Sequence, residues 1–158
     1  MEDTDNSKNG FSSNIFGPPL WLFLHIISFN YPENPTTKDK KVYRNFILSL
    51  KDILPCKTCR DNLTKNFKQL PLTMKDMENR STFSLYIYKL HNIINKMLNK
   101  NVNITYDEVK LQYEQYRAKC QVKNKTMKNK HVGCVVPLNS KHKKKCVIKI
   151  VKTRKNKK

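Results

Sequence analysis

The feature of this sequence that most constrains its fold is a series of apolar stripes at helical spacing, with prolines between them. Intervals of three and four residues place the apolar side chains of each segment on one helix face, and proline starts or ends a helix. The pattern predicts five helices: a first from Phe16 to Tyr31, a second from Pro35 to Leu54, a third from about Cys56 to Phe67, a fourth carrying Phe83 to Leu98, and a fifth carrying Val109 to Tyr116. We therefore expect an all-α fold, a four-helix bundle with a short fifth helix.

The charge distribution separates this domain from a basic tail. Of the 32 Lys and Arg residues, 16 lie between Arg117 and Lys158, a segment without Asp or Glu, whereas residues 1–116 carry 16 basic and 12 acidic residues. We expect a disordered segment at 1–14, a folded domain at 15–117 and a Lys-rich, largely disordered tail at 118–158. The tail suits either nonspecific binding of polyanions, such as nucleic acid or anionic membrane, or no more than solubility.

No segment predicts membrane insertion or secretion. The longest apolar run, Leu20 to Phe29, is shorter than the roughly 20 residues that a membrane-spanning helix needs. Residues 1–5 are acidic and polar, whereas a secretory signal begins with basic residues and an apolar stretch. We therefore expect no transmembrane segment and a protein that stays in the compartment where it is made.

Cys56-Lys57-Thr58-Cys59 is the motif with the clearest chemistry. Two cysteines three positions apart at a helix start lie on one face, where the helix dipole and the nearby Lys57 and Arg60 favour a thiolate. The motif therefore indicates a redox dithiol. A static disulfide, a pair of buried thiols and half of a zinc site are the alternatives that the motif alone leaves open.

Polar residues border the apolar stripe of the fourth predicted helix. His91, Asn92 and Asn95 lie beside buried positions, where side chains that donate and accept hydrogen bonds either satisfy each other or hold a polar ligand. Lys96 and Lys100 continue that side of the helix and suit a phosphate. On the first helix, Trp21 and His25 place an aromatic plane beside an imidazole, which suits either core packing or a ligand.

Taken together, these motifs resemble those of the Erv/ALR family of FAD-linked sulfhydryl oxidases. The resemblance lies in Trp21-x-x-Leu24-His25, Tyr31-Pro32, Leu54-Pro55-Cys56-x-x-Cys59 and His91-Asn92-x-x-Asn95-x-x-Leu98-x-Lys100, in the order of the family. It covers roughly Phe16 to Arg117. The short, Asn- and Lys-rich form is more similar to members encoded by large nucleocytoplasmic DNA viruses than to mitochondrial or endoplasmic-reticulum members.

The resemblance implies a helical bundle that encloses FAD and oxidises protein dithiols, with O2 as acceptor and H2O2 as product. It implies Cys59 as the thiol nearest the flavin and Cys56 as the thiol that exchanges with substrate. The cofactor-binding residues that it implies are Gly17, Trp21, His25, Cys59, His91, Asn92, Asn95, Lys96 and Lys100, with the lysines at the pyrophosphate. No metal is implied.

The resemblance also implies partners and a location. Family members usually form homodimers, and the implied substrates are protein dithiols, with a thioredoxin-like relay protein as one candidate. For a viral member, the implied location is the host cytoplasm, the viral factory or the virion.

The chain departs from the family pattern at three places. Tyr86 and Tyr88 stand where cellular members have a Trp and a Cys, and no cysteine lies near Thr105. The disulfide that ties the fifth helix to the fourth in those proteins is therefore missing, which leaves the placement of the fifth helix open. Phe16 stands at the aromatic position that opens the first family motif, where the family usually has Trp.

The other three cysteines, Cys120, Cys134 and Cys146, lie in the tail. They suit either a shuttle role, which family members often give to a cysteine pair on a flexible arm, or no role. His131-x-x-Cys134 and His142-x-x-x-Cys146 also have a spacing that zinc fingers use.

Two other function classes compete with the oxidase. A flavin-free thiol-disulfide exchange protein of thioredoxin type needs strands alternating with helices, which the sequence before Cys56 does not predict. A basic zinc- or nucleic-acid-binding module is compatible with the tail, but it does not account for His91, Asn92 and Asn95.

Overall fold

A computed structural model describes residues 10–119 and 136–137, and the rest of the tail lies outside the described residues. Its helices are α1 (Ser13–Phe29), α2 (Thr37–Ile53), α3 (Lys57–Gln69), α4 (Arg80–Met97) and α5 (Tyr106–Glu114), with a 3₁₀ turn at Lys75–Met77 before α4. The prediction of an all-α bundle with a short fifth helix is confirmed for the described residues up to Glu114.

The described residues form two compact units, one ending at Glu114 and one beginning at Gln115. In the second unit, the two-residue strands β1 (Ala118–Lys119) and β2 (Val136–Pro137) pair antiparallel. The prediction of a largely disordered tail, and the roles considered for Cys120, Cys134 and Cys146, concern residues outside the described ones.

Helix α1 begins earlier than the sequence pattern predicts. The Ser12 hydroxyl accepts a hydrogen bond from the backbone N–H of Asn14, so it caps the helix before the apolar stripe starts. Pro18 and Pro19 consequently lie in the second turn rather than the first. Because proline has no N–H, neither residue can donate a helical hydrogen bond to the preceding turn.

Side chains cap the other long helices as well. Thr36 and Asp39 form a reciprocal capping box at the start of α2, and Asn79 and Thr82 form another at the start of α4. Cys56 itself caps α3. The cysteine motif is therefore part of the signal that starts a helix, and its backbone geometry is fixed by that helix.

The core lies where α1 packs along α4 and where α2 packs on α3. Tyr31, Phe83 and Ile87 are fully buried at its centre. The Tyr31 hydroxyl donates to the carbonyl of Met77 at 2.9 Å, so this buried polar atom has a partner. Burial of these large side chains fixes α1 and α4 side by side, and the candidate site is built between them.

Tyrosine hydroxyls fix the segment that leads into α5, where the sequence lacks the family disulfide. Tyr88 on α4 donates to the carbonyl of Ile104 at 2.8 Å, and Tyr106 on α5 is 2.8 Å from the Ser84 hydroxyl. The rings of Tyr88 and Tyr106 also meet edge to face, 5.7 Å apart. Hydrogen bonds and aromatic contacts therefore tie α5 to α4 without a cysteine.

Candidate active site

The cysteine pair lies at the break between α2 and α3. Cys56 and Cys59 form a disulfide, with their Cα atoms 5.2 Å apart. The backbone N–H of Cys59 donates to Sγ of Cys56 at 3.2 Å, as expected of a capping residue. Both side chains are half-buried. A disulfide of such a short loop, accessible at a helix N-terminus, is suited to exchange with a thiol.

Arg60 holds the backbone on both sides of Pro55, just before this disulfide. Its guanidinium donates from Nη1 to the carbonyl of Leu54, the C-capping residue of α2. Its backbone N–H donates to the carbonyl of Cys56 at 3.1 Å. The turn that carries Pro55 is thus fixed at both ends, and the guanidinium adds a positive charge near the thiols.

A cavity of about 630 Å³ opens beside the disulfide, between α1, α3 and α4. It is lined by most of the predicted site residues, namely Gly17, Trp21, Cys56, Cys59, His91, Asn95 and Lys100. Apolar side chains, among them Leu24, Leu63 and Leu90, form much of the remaining wall. The fold therefore brings residues that are up to 83 positions apart in the sequence to one site.

Three of the predicted residues do not line the cavity. His25 is 3% exposed and lies behind His91. Asn92 is half-buried and Lys96 is exposed, and neither is part of the cavity wall. A helix advances by about 100° per residue, so Asn92 and Lys96 project from a different side of α4 than His91 and Asn95 do.

Two stacked rings form the aromatic part of the site. The indole of Trp21 lies on the imidazole of His91, with ring centroids 4.0 Å apart and planes 5° apart. Nδ1 of His91 lies 3.0 Å from Nε2 of His25, and the ring of Tyr113 on α5 stacks on His25 at 4.9 Å. Helices α1, α4 and α5 therefore meet in one continuous aromatic cluster.

Both histidines of this cluster are held neutral. Burial, and to a lesser extent the neighbouring His91, lowers the pKa of His25 to about 4. Burial, followed by the positive charge of Lys100, lowers the pKa of His91 to about 4. At neutral pH one imidazole donates and the other accepts in the bond between them. The cavity wall therefore presents a flat, uncharged surface next to the disulfide.

Helix α3 contributes residues that the sequence patterns did not single out. Cys59, Leu63 and Asn66 lie at helical spacing, and together with Asn62 they face the cavity. Asn66 is 6% exposed, and its Nδ2 has no hydrogen-bond partner among the described residues. The third predicted helix already includes these positions. Residues three, four and seven positions after Cys59 share its helix face, so the sequence contained the signal for them.

The size and chemistry of the cavity fit FAD. Ligand pockets of roughly 300–1,000 Å³ that are mostly apolar, with a few polar groups, are typical for bound organic groups. The stacked plane of Trp21 and His91 suits a flat ring, and the Lys100 ammonium at the cavity wall suits a phosphate. A Cβ atom added at Gly17 would meet nothing within 4 Å, so the wall there is open to a bound group.

Residues 10–119 and 136–137 contain neither a metal site nor a membrane-spanning helix. No group of three or more His, Cys, Asp and Glu side chains in these ranges is placed to hold a metal ion. Their helices also include none that is long and apolar enough to cross a membrane. His131, Cys134, His142 and Cys146, whose spacing resembles a zinc finger, lie outside these ranges.

Known proteins are similar to this chain in sequence. The chain is 33% identical over 100 residues to an FAD-linked sulfhydryl oxidase of African swine fever virus, which covers 63% of this chain and 81% of the relative. It is 34% identical over 88 residues to a probable FAD-linked sulfhydryl oxidase of Acanthamoeba polyphaga mimivirus, covering 56% of this chain. The match spans 61% of the length of that mimivirus relative.

The fold is similar to that of a solved yeast structure. The FAD-binding domain of Erv1 from Saccharomyces cerevisiae superposes with a TM-score of 0.59 at 22% identity, over 65% of this chain and 94% of that domain. The model of the Erv1 / Alr family matches residues 18–117, most of the length of the chain. The resemblance seen in the sequence motifs is thereby confirmed, and the chain belongs to the Erv1 / Alr family.

Proposed function

We propose that this protein is an FAD-dependent thiol oxidase that forms disulfides in protein dithiols and passes their electrons to O2, which yields H2O2. The observation that carries the proposal is that the Cys56–Cys59 disulfide and the Trp21–His91 stack line the same cavity. The names of the relatives from two viruses support both the activity and the cofactor. FAD supplies the acceptor for the two electrons of a dithiol and their transfer to oxygen.

The two cysteines have separate roles in this proposal. Cys59 lies on the α3 face that also presents Leu63 and Asn66 to the cavity, which supports its role as the thiol next to the flavin. Cys56 precedes the helix as its capping residue, at the edge of the site. A substrate thiolate attacks Sγ of Cys56, the disulfide breaks, and Cys59 leaves as a thiolate. A second substrate thiolate then attacks the mixed disulfide, which releases oxidised substrate and Cys56.

The remaining residues bind and orient the cofactor. Trp21 and His91 provide the flat wall, and the neutral His25 holds His91 in place through their hydrogen bond. Asn95, 9% exposed, adds a hydrogen-bonding amide to the wall, and Lys100 adds a positive charge for a phosphate. Because His25 and His91 are neutral, Lys100 supplies the positive charge among these residues at neutral pH.

The proposal includes a homodimer. Helix α1 is apolar on its outer side as well as on its buried side, since Ile15, Leu22, Phe23 and Ile26 are all at least 42% exposed. A helix that is apolar all round is typically buried on both sides. A second copy of the chain packed on this outer face would cover these side chains and would give the homodimer that the family resemblance implies.

The proposal also covers substrate and location. The substrates are protein dithiols, including those of a thioredoxin-like relay protein. The similarity to oxidases of African swine fever virus and a mimivirus supports a viral origin, and with it a site of action in the host cytoplasm, the viral factory or the virion.

The cofactor can be tested on the purified full-length protein. We expect a yellow protein whose denaturation releases about one FAD per chain and which consumes oxygen when dithiothreitol is added. A colourless protein that exchanges disulfides without consuming oxygen would contradict the proposal and favour a flavin-free exchange protein.

A further inference from the structure

The segment that precedes α1 is attached to the residue that precedes Cys56. The backbone N–H of Phe11 donates to the carbonyl of Pro55 at 2.9 Å. Gly10 has a φ of +70°, a conformation that L side chains rarely adopt, and a Cβ atom added there would lie 1.9 Å from the carbonyl oxygen of Pro55. Glycine at position 10 is therefore required for this close approach, which fixes Phe11 beside the redox disulfide.

The side chain of Phe11 is not used inside the protein. It is 75% exposed and is not part of the cavity wall, although Ser13 and Asn14, just after it, are. Ile53, the last residue of α2 and three positions before Cys56, is 64% exposed. Phe11 and Ile53 are thus two large, exposed apolar side chains near the peptide that carries Cys56. Phe11 belongs to the segment bonded to Pro55, and Ile53 belongs to the end of α2 that leads to Pro55.

We propose that Phe11 and Ile53 form a docking surface for the polypeptide substrate, and that it binds apolar side chains next to the substrate dithiol. The inference rests on the proposed function, because that function brings a protein thiol to Cys56. In-line attack on Sγ of Cys56 places the substrate backbone over the neighbouring surface. A small dithiol such as dithiothreitol reaches the same sulfur without touching Phe11, so the docking surface acts only on polypeptides.

Substitutions at two positions disturb this surface in different ways. Phe11→Ala removes the apolar side chain and leaves the backbone bond to Pro55 in place. Gly10→Ala keeps Phe11 but is incompatible with the close approach to the Pro55 carbonyl, so it displaces the segment. Leu111→Ala is the matched control, because Leu111 is 64% exposed on α5 and lines neither the cavity nor the docking surface. None of these positions is in the core.

The test uses two synthetic peptides, each with one reduced Cys-x-x-Cys, that carry either leucines or serines beside the cysteines. Single-turnover exchange with the Cys56–Cys59 disulfide is followed without oxygen by alkylating the released thiols. We expect Phe11→Ala and Gly10→Ala to slow exchange with low concentrations of the leucine peptide about tenfold, with the serine peptide and dithiothreitol nearly unaffected. Leu111→Ala should match the wild type throughout.

Equal rates of wild type and Phe11→Ala with the leucine peptide would overturn the inference. So would an equal slowing with both peptides and with dithiothreitol, since that indicates a changed disulfide and not a lost contact. The exchange assay does not depend on oxygen. A wild-type protein that exchanges with the peptides but consumes no oxygen would therefore contradict the proposed oxidase function. In that case the exchange rates of the variants would still test the docking surface.

Discussion

The indole of Trp21 and the imidazole of His91 stack almost parallel, 4.0 Å apart, and join α1 to α4 at the wall of the cavity that contains the redox disulfide. Such offset or parallel contacts are worth about 0.5–1.5 kcal/mol beyond the area that they bury. The stack also fixes the plane that a flat ring would meet. Substitutions that break this stack should therefore lower the affinity for the cofactor.

Trp21→Ala should weaken FAD binding about tenfold, because it removes one face of this wall and leaves His91 without its stacking partner. Trp21→Phe keeps an aromatic plane and should retain most of the affinity. Equilibrium dialysis of FAD against the two variants measures the difference. Equal affinities for the alanine and phenylalanine variants would show that the plane does not contact the cofactor.

Lys100 and Lys96 provide a matched pair of substitutions, because Lys100 lines the cavity and Lys96 does not. Lys100→Met should lower the affinity for FAD about tenfold or more through the loss of a charge-assisted phosphate contact. Lys96→Met should have a smaller effect, because the phosphate contact predicted for Lys96 comes from a residue outside the cavity wall. Riboflavin has no phosphate, so its affinity should be the same for both variants. A loss of riboflavin affinity in Lys100→Met would point to a disturbed cavity instead.

The neutral histidine pair makes stability depend on pH. The pKa values of His25 and His91 in the folded protein are about 4, below the value of 6.5 that applies to the unfolded chain. The unfolded chain therefore binds more protons between these two values, and the free energy of unfolding decreases as the pH falls from 6.5 towards 4. The expected slope is about 1 kcal/mol per pH unit for each histidine near pH 5.

Urea denaturation between pH 7 and pH 5 measures this slope. Replacing His91 with Gln removes one of the two groups, so the variant should lose stability less steeply than the wild type. Asp39, Asp61 and Glu108 also have lowered pKa values, but they titrate mainly at more acidic pH and are present in both proteins. Identical slopes in the two proteins would contradict the histidine assignment.

The outer face of α1 should form a dimer interface. Ile26→Arg places a charge among Ile15, Leu22 and Phe23, and burying it against a second copy would be costly, so the variant should be monomeric. Analytical ultracentrifugation of the wild type and the variant measures the change in mass. Leu111→Arg, at a residue that is also exposed and apolar but lies on α5, should leave the dimer intact.

Sequence patterns identified the helices well because apolar spacing and proline are local signals. The contacts that complete the site are not local. The bond from Phe11 to Pro55 and the bond from Tyr88 to Ile104 join segments that no periodicity connects. The motif around His91 also includes Asn92 and Lys96, which do not line the cavity. Their roles in binding FAD stay predictions.

The start of α1 has a similar explanation. The prolines at positions 18 and 19 predicted a helix start near Phe16, but the Ser12 cap begins the helix at Ser13. A side-chain cap and the attachment of the preceding segment outweighed the preference of proline for a first turn. Ser13 and Asn14 thereby became part of the cavity wall.

The central claim is that electrons pass from Cys59 to the bound flavin, and the visible absorbance of the flavin tests it most directly. Dithiothreitol added without oxygen should bleach the yellow wild-type protein within seconds to minutes, whereas Cys59→Ser should bind FAD to the same extent and stay yellow. Bleaching of Cys59→Ser at the wild-type rate would contradict the account.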